Sequence, residues 1–242
     1  RTWWSTWSRR TPIATRGTSC VVVPISAIPT PESRCRIVSK EVIHLPARLR
    51  ADRLEAGVDE VGRGCLAGPV VAAAVILPPS LDLPGLTDSK QLTPHKREAY
   101  DLKIREQAVA VSVGSASPEE IDQMNILSAT FLAMQRAIDG LRPAPEYLLI
   151  DGNRYRTTAE IPYETIVRGD GRVASIAAAS IVAKVYRDKL MAELGESYPA
   201  YHWERNAGYG TAAHLEAIRL HGLTPHHRRS FAPCRPSLFP DD

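Results

Sequence analysis

The chain has 242 residues, 44% of them hydrophobic, which is enough for one large or two small globular domains. Its longest apolar stretch, residues 70–79, is too short to cross a bilayer as a helix, so no membrane span is expected. The net charge of +3 is unevenly divided. Residues 1–50 carry nine Lys/Arg and two Glu, whereas residues 51–242 carry 21 basic and 25 acidic residues. Overall charge therefore gives no support for nucleic-acid binding by the main part of the chain.

Residues 1–48 are predicted to form a basic extension that is disordered and has no fold of its own. They are rich in Arg, Thr, Ser and Trp, and prolines interrupt their second half. An organelle-targeting segment and translation from upstream of the true start remain open as alternative interpretations.

The cysteines are scattered and do not form a metal-binding pattern. A disulfide framework is not expected in a chain of this size, and a cytoplasmic location is favoured. We interpret Cys65 and Cys234 as packing residues; the others are Cys20 and Cys35.

From residue 54 onward, regular hydrophobic patterns predict strands at 54–61, 70–77 and 109–114. Thr93 followed by Pro94 is typical of a helix start. Residues 117–120 (SPEE) predict a capping box. Apolar residues at helical spacing then predict a helix that ends near Gly140.

In the second half, two predicted strands each end in a carboxylate, at residues 146–151 (EYLLID) and 164–170 (ETIVRGD). An Ala-rich helix is predicted over residues 173–194, closed by Gly195. Another begins at Thr211 and runs to about His221. These elements predict one mixed α/β domain over about residues 53–235.

Four acidic residues stand at predicted strand ends: Asp59 and Glu60 at the first, Asp151 and Asp170 at two others. If the sheet brings these ends together, the like charges repel, and divalent cations such as Mg²⁺ or Mn²⁺ relieve that repulsion. A single strand-end Asp is more often a turn former or a helix cap. Adjacent strand residues point to opposite faces, so Asp59 and Glu60 reach one pocket only if the strand ends or twists there. Gly62 and Gly64 permit that distortion.

The sequence around these acids resembles the ribonuclease HII family over residues 53–233. The segments that carry the resemblance, in order, are AGVDEVGRGCLAGPVVAAAVIL, LTDSKQLTPHKRE, YLLIDG, IVRGDGRVASIAAASIVAKVYRD, and NAGYGTAAHLEAIRLHG with TPHHRRSF. The resemblance implies a ribonuclease H-like α/β fold with a central mixed sheet flanked by helices and a helical C-terminal part. It also implies an endonuclease that hydrolyses the RNA strand of RNA–DNA hybrids and incises duplex DNA 5′ of single ribonucleotides. The expected products carry 5′-phosphate and 3′-hydroxyl ends.

The same resemblance implies a site with two Mn²⁺ or Mg²⁺ ions. Asp59 would be the ligand shared by both ions, and Glu60, Asp151 and Asp170 would complete the two coordination shells. Gly62-Arg63-Gly64 resembles the family's GRG loop, which reads the ribose 2′-hydroxyl. Tyr209 resembles the tyrosine that packs against the next sugar.

Further substrate contacts are expected from loop and helix residues. Ser89 and Lys90 could hold a phosphate, and Lys184 and Arg187 share a helix face that could contact the backbone. A solvated loop and an exposed helix face are the simpler interpretations. The HHRR run at residues 226–229 is expected to be structural or to face phosphates.

Two departures and several alternatives accompany the resemblance. Residues 1–48 match nothing in the family. Family members often carry lysines where this chain has Ala207 and Ala212, which puts the strength of backbone binding in doubt. One rival is a non-catalytic nucleic-acid-binding protein, which the presence of all four acids disfavours. The other is a resolvase or a general ribonuclease H, which the GRG beside Asp59-Glu60 and the GYGT segment disfavour. A monomer is expected, and residues 236–239 (PSLF) resemble peptides that dock onto sliding clamps.

Overall fold

The computed structural model describes residues 44–50, 52–156 and 160–235. Five strands form one sheet in this part of the chain: β1 Glu55–Val61, β2 Val70–Ile76, β3 Ala110–Ala116, β4 Tyr147–Asp151 and β5 Tyr163–Ile166. Their order across the sheet is β3-β2-β1-β4-β5. The β1–β2 and β2–β3 pairs are antiparallel, whereas β4 runs parallel to both β1 and β5. The predicted mixed sheet is confirmed.

The described helices are α1 Pro94–Gln107, α2 Pro118–Met124, α3 Ile126–Asp139, α4 Ala174–Ser197, α5 Trp203–Asn206 and α6 Ala212–His221. Thr93 and Thr211 cap α1 and α6 with their side chains, as predicted. Ser117 and Glu120 form the predicted capping box of α2. Local sequence signals therefore fix where these helices begin.

Helices cover both faces of the sheet. On one face, α3 packs against alternate residues of β1 and β2; on the other, the Ala-rich first half of α4 packs against the remaining ones. At Gly57, an added Cβ would lie 2.2 Å from the carbonyl carbon of Ser175 in α4. Only glycine allows the backbones of β1 and α4 to approach this closely, and this contact places α4 next to the end of β1.

Two predicted boundaries are wrong. β5 ends at Ile166, so Asp170 does not end a strand but lies in a 3-10 turn, Gly169–Gly171. Helix α4 continues past Gly195 to Ser197. A Cβ at Gly195 would lie 3.2 Å from the backbone nitrogen of Glu204. This glycine therefore serves close packing against α5 rather than termination of the helix.

The folded domain begins before residue 53. Ala47 is buried, Arg48 Nε donates a 2.7 Å hydrogen bond to the Leu77 carbonyl, and the Ala174 N–H donates to the carbonyl of Pro46. Residues 44–48, which we predicted to belong to the disordered extension, thus pack against the sheet and α4. The rest of that prediction, for residues 1–43, lies outside the described residues.

Cys65 and Cys234 are buried free thiols, as expected for packing residues. Burial raises the pKa of both, which disfavours the reactive thiolate. Cys20 and Cys35 lie outside the described residues. Within the part of the chain that is described, no helix combines the length and apolar character needed to span a membrane.

Candidate active site

The four predicted acids lie at one edge of the sheet, where parallel strands end. Asp59 and Glu60 are near the end of β1, and Asp151 is the last residue of β4. Val58 pairs with Ile150 on the parallel strand, so Asp59 and Asp151 follow side by side. Asp170 reaches the same edge from the turn that follows β5.

Asp59 and Glu60 leave the sheet on opposite faces. Glu60 is in phase with Val58 and faces α3, where it lines a cavity of about 400 Å³ together with Asp151. Asp59 faces α4, where the Ser180 hydroxyl lies beside it. β1 stays regular through Val61, so the strand does not twist the two acids into one pocket. Asp151 also lines a second cavity of about 510 Å³ together with Asp170, and its charge raises the pKa of each of the other three acids, so it lies near all of them.

Burial and mutual repulsion make the cluster costly to ionise. The pKa of Asp59 is raised well above its usual value, first by burial and then by the charges of Glu60 and Asp151. Burial also raises the pKa of Glu60, although Arg63 opposes this. The pKa of Asp170 is raised by burial and by Asp151. A cation among these groups would remove most of this cost.

The donor set suits a hard divalent cation, since it consists of carboxylates alone. Among the described residues, however, no three Asp, Glu, His or Cys side chains are arranged closely enough to hold an ion as they stand. Asp151 Oδ1 accepts a 2.7 Å hydrogen bond from the Gly169 N–H, and Glu60 lies 3.2 Å from Arg63 Nη1. These carboxylates therefore provide suitable ligands, but they must turn to surround an ion.

The GRG residues form the turn directly after β1. Gly62 has a φ of +89°, and Gly64 is exposed with nothing within 4 Å of an added Cβ. Tyr209 lies next to this turn and is 42% exposed. Its pKa is raised by burial and by the neighbouring thiol of Cys65. The two predicted sugar-reading elements thus share one rim of the acidic edge.

The other predicted substrate residues differ in their accessibility. Ser89 is buried, and its hydroxyl lies 2.9 Å from that of Ser180, so it is not presented to solvent. Lys90 is exposed and lies close enough to Asp170 to lower the pKa of that carboxyl. Lys184 forms a 2.7 Å ion pair with Asp188 and keeps part of its side chain accessible.

The prediction that Arg187 could contact a nucleic-acid backbone is wrong. Arg187 is fully buried, and it donates hydrogen bonds of 2.7–3.0 Å to the carbonyls of Pro69, Ala207 and Ala67. A guanidinium with five fixed donors is suited to hold several carbonyls at once. Arg187 therefore connects the segment after the GRG turn to the segment before Tyr209.

The sequence reasoning missed two contacts near the site. It gave no role to Ser180, which lies beside Asp59, or to Arg228, which is fully buried behind the GRG turn. For Arg228, the HHRR run at residues 226–229 was a usable signal. We expected it to be structural or to face phosphates, and this did not predict which groups Arg228 contacts. For Ser180, we find no sequence signal beyond its position on the buried face of α4.

The mixed sheet and the acids at the ends of its parallel strands define a nuclease with a ribonuclease H-like fold. The sequence model of the family described as ribonuclease HII matches residues 56–234. The chain belongs to this family and is an endoribonuclease of the ribonuclease H type.

Similar proteins cover the same part of the chain. The ribonuclease HII of Parabacteroides distasonis is 57% identical over 183 residues, which are 76% of this chain and 92% of that protein. The ribonuclease HII of Neisseria meningitidis is 54% identical over 182 residues, or 75% of this chain and 94% of that protein. In both alignments, the unmatched part of this chain is larger than that of the relative.

Solved structures agree on the fold. The ribonuclease H2 of Pyrococcus horikoshii is 26% identical with a TM-score of 0.63, and the match covers 74% of this chain and 94% of that one. The ribonuclease HII of Archaeoglobus fulgidus, solved in a complex with PCNA, is 24% identical with a TM-score of 0.61, over 76% and 98% of the two chains. The expected ribonuclease H-like fold is thereby confirmed.

Proposed function

We propose that this endoribonuclease hydrolyses the RNA strand of RNA–DNA hybrids and incises duplex DNA on the 5′ side of a single embedded ribonucleotide. The products would carry 5′-phosphate and 3′-hydroxyl ends. Two divalent ions held by Asp59, Glu60, Asp151 and Asp170 would serve the reaction, with Asp59 between them.

The observation that carries this proposal is the common location of the acids and the sugar-reading elements. The GRG turn begins two residues after Glu60, and the backbone of Gly208 accepts a 2.7 Å hydrogen bond from the Leu66 N–H. Tyr209 is therefore tied to the turn that follows the acids. A ribose at this rim would place its 5′ phosphate near the carboxylates.

Bound divalent ions would supply an activated water and stabilise the leaving 3′ oxygen. The residues of the chain hold and orient the substrate. The exposed N–H groups of the GRG turn can donate to a ribose 2′-hydroxyl, which DNA lacks. The ring of Tyr209 offers an apolar surface to the next sugar. Lys90 and Lys184, both accessible in part, are the proposed phosphate contacts, whereas Ser89 would have to leave its contact with Ser180.

Mg²⁺ and Mn²⁺ are both suited to the carboxylate donors. One structural neighbour that shares the fold, Bst-RNase HIII, was solved with Mn²⁺. We propose that either ion supports cleavage. Measuring turnover over a range of concentrations of each ion would test this, and full activity in the presence of a strong chelator would contradict it.

The decisive test compares a duplex containing one ribonucleotide with an all-DNA duplex of the same sequence, with mapped product ends. We expect incision 5′ of the ribonucleotide in the first and none in the second. Tyr209→Ala should lower turnover strongly with little effect on metal binding, whereas Tyr209→Phe keeps the ring and should be milder. Robust cleavage of a long hybrid without incision at a single ribonucleotide would contradict the recognition model.

A sliding-clamp contact and a monomeric state stay predictions. The clamp-like peptide, residues 236–239, lies outside the described residues. The Archaeoglobus fulgidus ribonuclease HII was solved with PCNA, and a comparable partner is proposed here. A pull-down with the replication clamp tests it, with Leu238→Ala as the variant; unchanged capture by that variant would contradict a contact through this peptide.

A further inference from the structure

Two consecutive residues of the C-terminal segment, His227 and Arg228, are almost completely buried behind the two sugar-reading elements. Their backbone lies against the segment that follows the GRG turn. The Arg228 N–H donates a 2.8 Å hydrogen bond to the Leu66 carbonyl, and Ala67 and His227 form an isolated antiparallel bridge. The side chains of the two residues then extend to different loops.

Arg228 holds the GRG turn by its carbonyls. Its Nη2 donates to the Gly62 carbonyl at 2.7 Å and its Nη1 to the Arg63 carbonyl at 2.9 Å. Its Nε donates to the carbonyl of Gly68 at 3.0 Å. In the described part of the chain Arg228 forms no salt bridge, so its charge is bound by these carbonyls and by the Phe231 ring, whose centroid lies 5.2 Å from Cζ.

Fixing these carbonyls also fixes two donors. In a trans peptide, the C=O of one residue and the N–H of the next point in opposite directions. The N–H groups of Arg63 and Gly64 therefore point away from the buried guanidinium. In the described structure neither donates to a protein acceptor, and both residues are exposed. Arg228 thus keeps two free donors directed outward.

His227 acts on the other element through His214. The Thr224 N–H donates to His227 Nδ1 at 3.0 Å, which places the proton of the neutral imidazole on Nε2. His227 Nε2 then donates to His214 Nε2 at 3.1 Å. That leaves the His214 proton on Nδ1, which donates to the Tyr209 carbonyl at 2.9 Å.

Only one arrangement of protons avoids two facing donors or two facing acceptors among these groups, and in it His227 and Trp203 share the single lone pair of His214 Nε2. His214 Nε2 also accepts from Trp203 Nε1 at 3.1 Å, which agrees with its unprotonated state. Burial lowers the pKa of His227 to about 4, so both rings stay neutral at physiological pH. The hydrogen bonds from His227 to His214 and from His214 to Tyr209 therefore hold the backbone at Tyr209 from the same segment that holds the GRG turn.

We propose that His227 and Arg228 are positioning residues that set the distance between the 2′-hydroxyl-reading turn and the sugar-reading tyrosine. This inference rests on the proposed function of the two elements. Because the two residues are adjacent, a shift of one element relative to the other requires this segment to distort. The ability to distinguish a ribose from a deoxyribose would depend on that fixed distance.

The test is Arg228→Lys, which keeps the charge but replaces the fork of donors by one ammonium that cannot reach three carbonyls. Arg229→Lys is the matched control, since Arg229 is adjacent and exposed. Binding is measured in Ca²⁺ to a single-ribonucleotide duplex and to the all-DNA duplex. We expect the ratio of the two affinities to fall about tenfold for Arg228→Lys, as for one lost charged hydrogen bond, and to stay unchanged for Arg229→Lys.

A purely structural role would lower both affinities together and leave their ratio intact, which would overturn the proposal. Arg228→Gln, which removes the buried charge, replaces the lysine variant if that variant does not fold. Amide chemical shifts of Arg63 and Gly64 give a second readout, and they should move in the Arg228 variants only. If the wild type does not distinguish the two duplexes, the proposed function fails. In that case the amide chemical shifts of Arg63 and Gly64 still test the positioning role of Arg228. Shifts that do not move in the Arg228 variants would overturn it.

Discussion

The two glycines of the GRG turn have different tasks, and alanine at each position separates them. At Gly62, φ is +89° and an added Cβ would lie 2.2 Å from Arg187 Nε. The left-handed conformation costs a residue with a side chain about 1–2 kcal/mol. The guanidinium of Arg187 must also move, and losing one of its charged hydrogen bonds costs about 1.5–3 kcal/mol. Gly62→Ala should therefore destabilise the fold by about 2.5–5 kcal/mol.

Gly64→Ala is the matched control for stability. Nothing lies within 4 Å of an added Cβ at Gly64. A surface substitution of this kind changes the free energy of unfolding by less than about 0.5 kcal/mol. The same methyl group stands where a ribose would approach the backbone, so we expect weaker binding of the ribonucleotide duplex. Gly64→Val should enlarge that effect.

Urea unfolding of the metal-free proteins measures the first effect, and binding to the two duplexes in Ca²⁺ measures the second. The expected result is a destabilised Gly62→Ala and a stable Gly64→Ala with reduced preference for the ribonucleotide. Equal stability losses at both positions, or a Gly62→Ala as stable as wild type, would refute the assignment of Gly62 to packing on Arg187.

Three further predictions concern the acids, the histidines and the N-terminal segment. Asp59→Asn should abolish cleavage yet raise the melting temperature of the metal-free protein, because burial and repulsion disfavour the native carboxylate; normal turnover in Mg²⁺ would contradict this. The pKa of His227 is lowered to about 4 in the folded protein. As the pH falls, the unfolded chain therefore takes up a proton at His227 before the folded protein does, and stability should decrease below about pH 6.5. In urea titrations across that range, His227→Gln should lose less stability than wild type. Removing residues 1–40 should leave turnover unchanged. Removing residues 1–50 should destabilise the fold, because the buried carboxylate of Glu55 loses two backbone donors. Equal melting temperatures of the two truncated proteins would contradict this.

The candidate site was accessible to sequence reasoning where its residues belong to local motifs. Asp59 and Glu60 lie near the end of β1, just before the GRG turn, and Asp151 ends a clear strand, so their arrival at one edge follows from parallel pairing. Asp170 was placed at a strand end because residues 164–170 (ETIVRGD) end in a carboxylate, as residues 146–151 (EYLLID) do. The structure ends β5 at Ile166 and reaches the edge by a 3-10 turn instead.

Accessibility of polar side chains was harder to predict. Lys184 and Arg187 lie on one helix with similar local sequence, yet Lys184 is paired at the surface and Arg187 is fully buried. The difference arises from carbonyls of residues 67, 69 and 207, which are distant in sequence from α4. A helical pattern gives no information about such partners.

The sequence by itself determined the caps of α1, α2 and α6 and the positions of the first four strands, and it predicted the acids, because each depends on neighbouring residues and on short-range backbone preferences. The tertiary structure alone decided that Asp59 faces α4 and Glu60 faces α3, and that Arg228 holds the GRG turn. Both depend on which segments meet in space. A buried guanidinium is stable only where several carbonyls converge, and that convergence exists only in the folded chain.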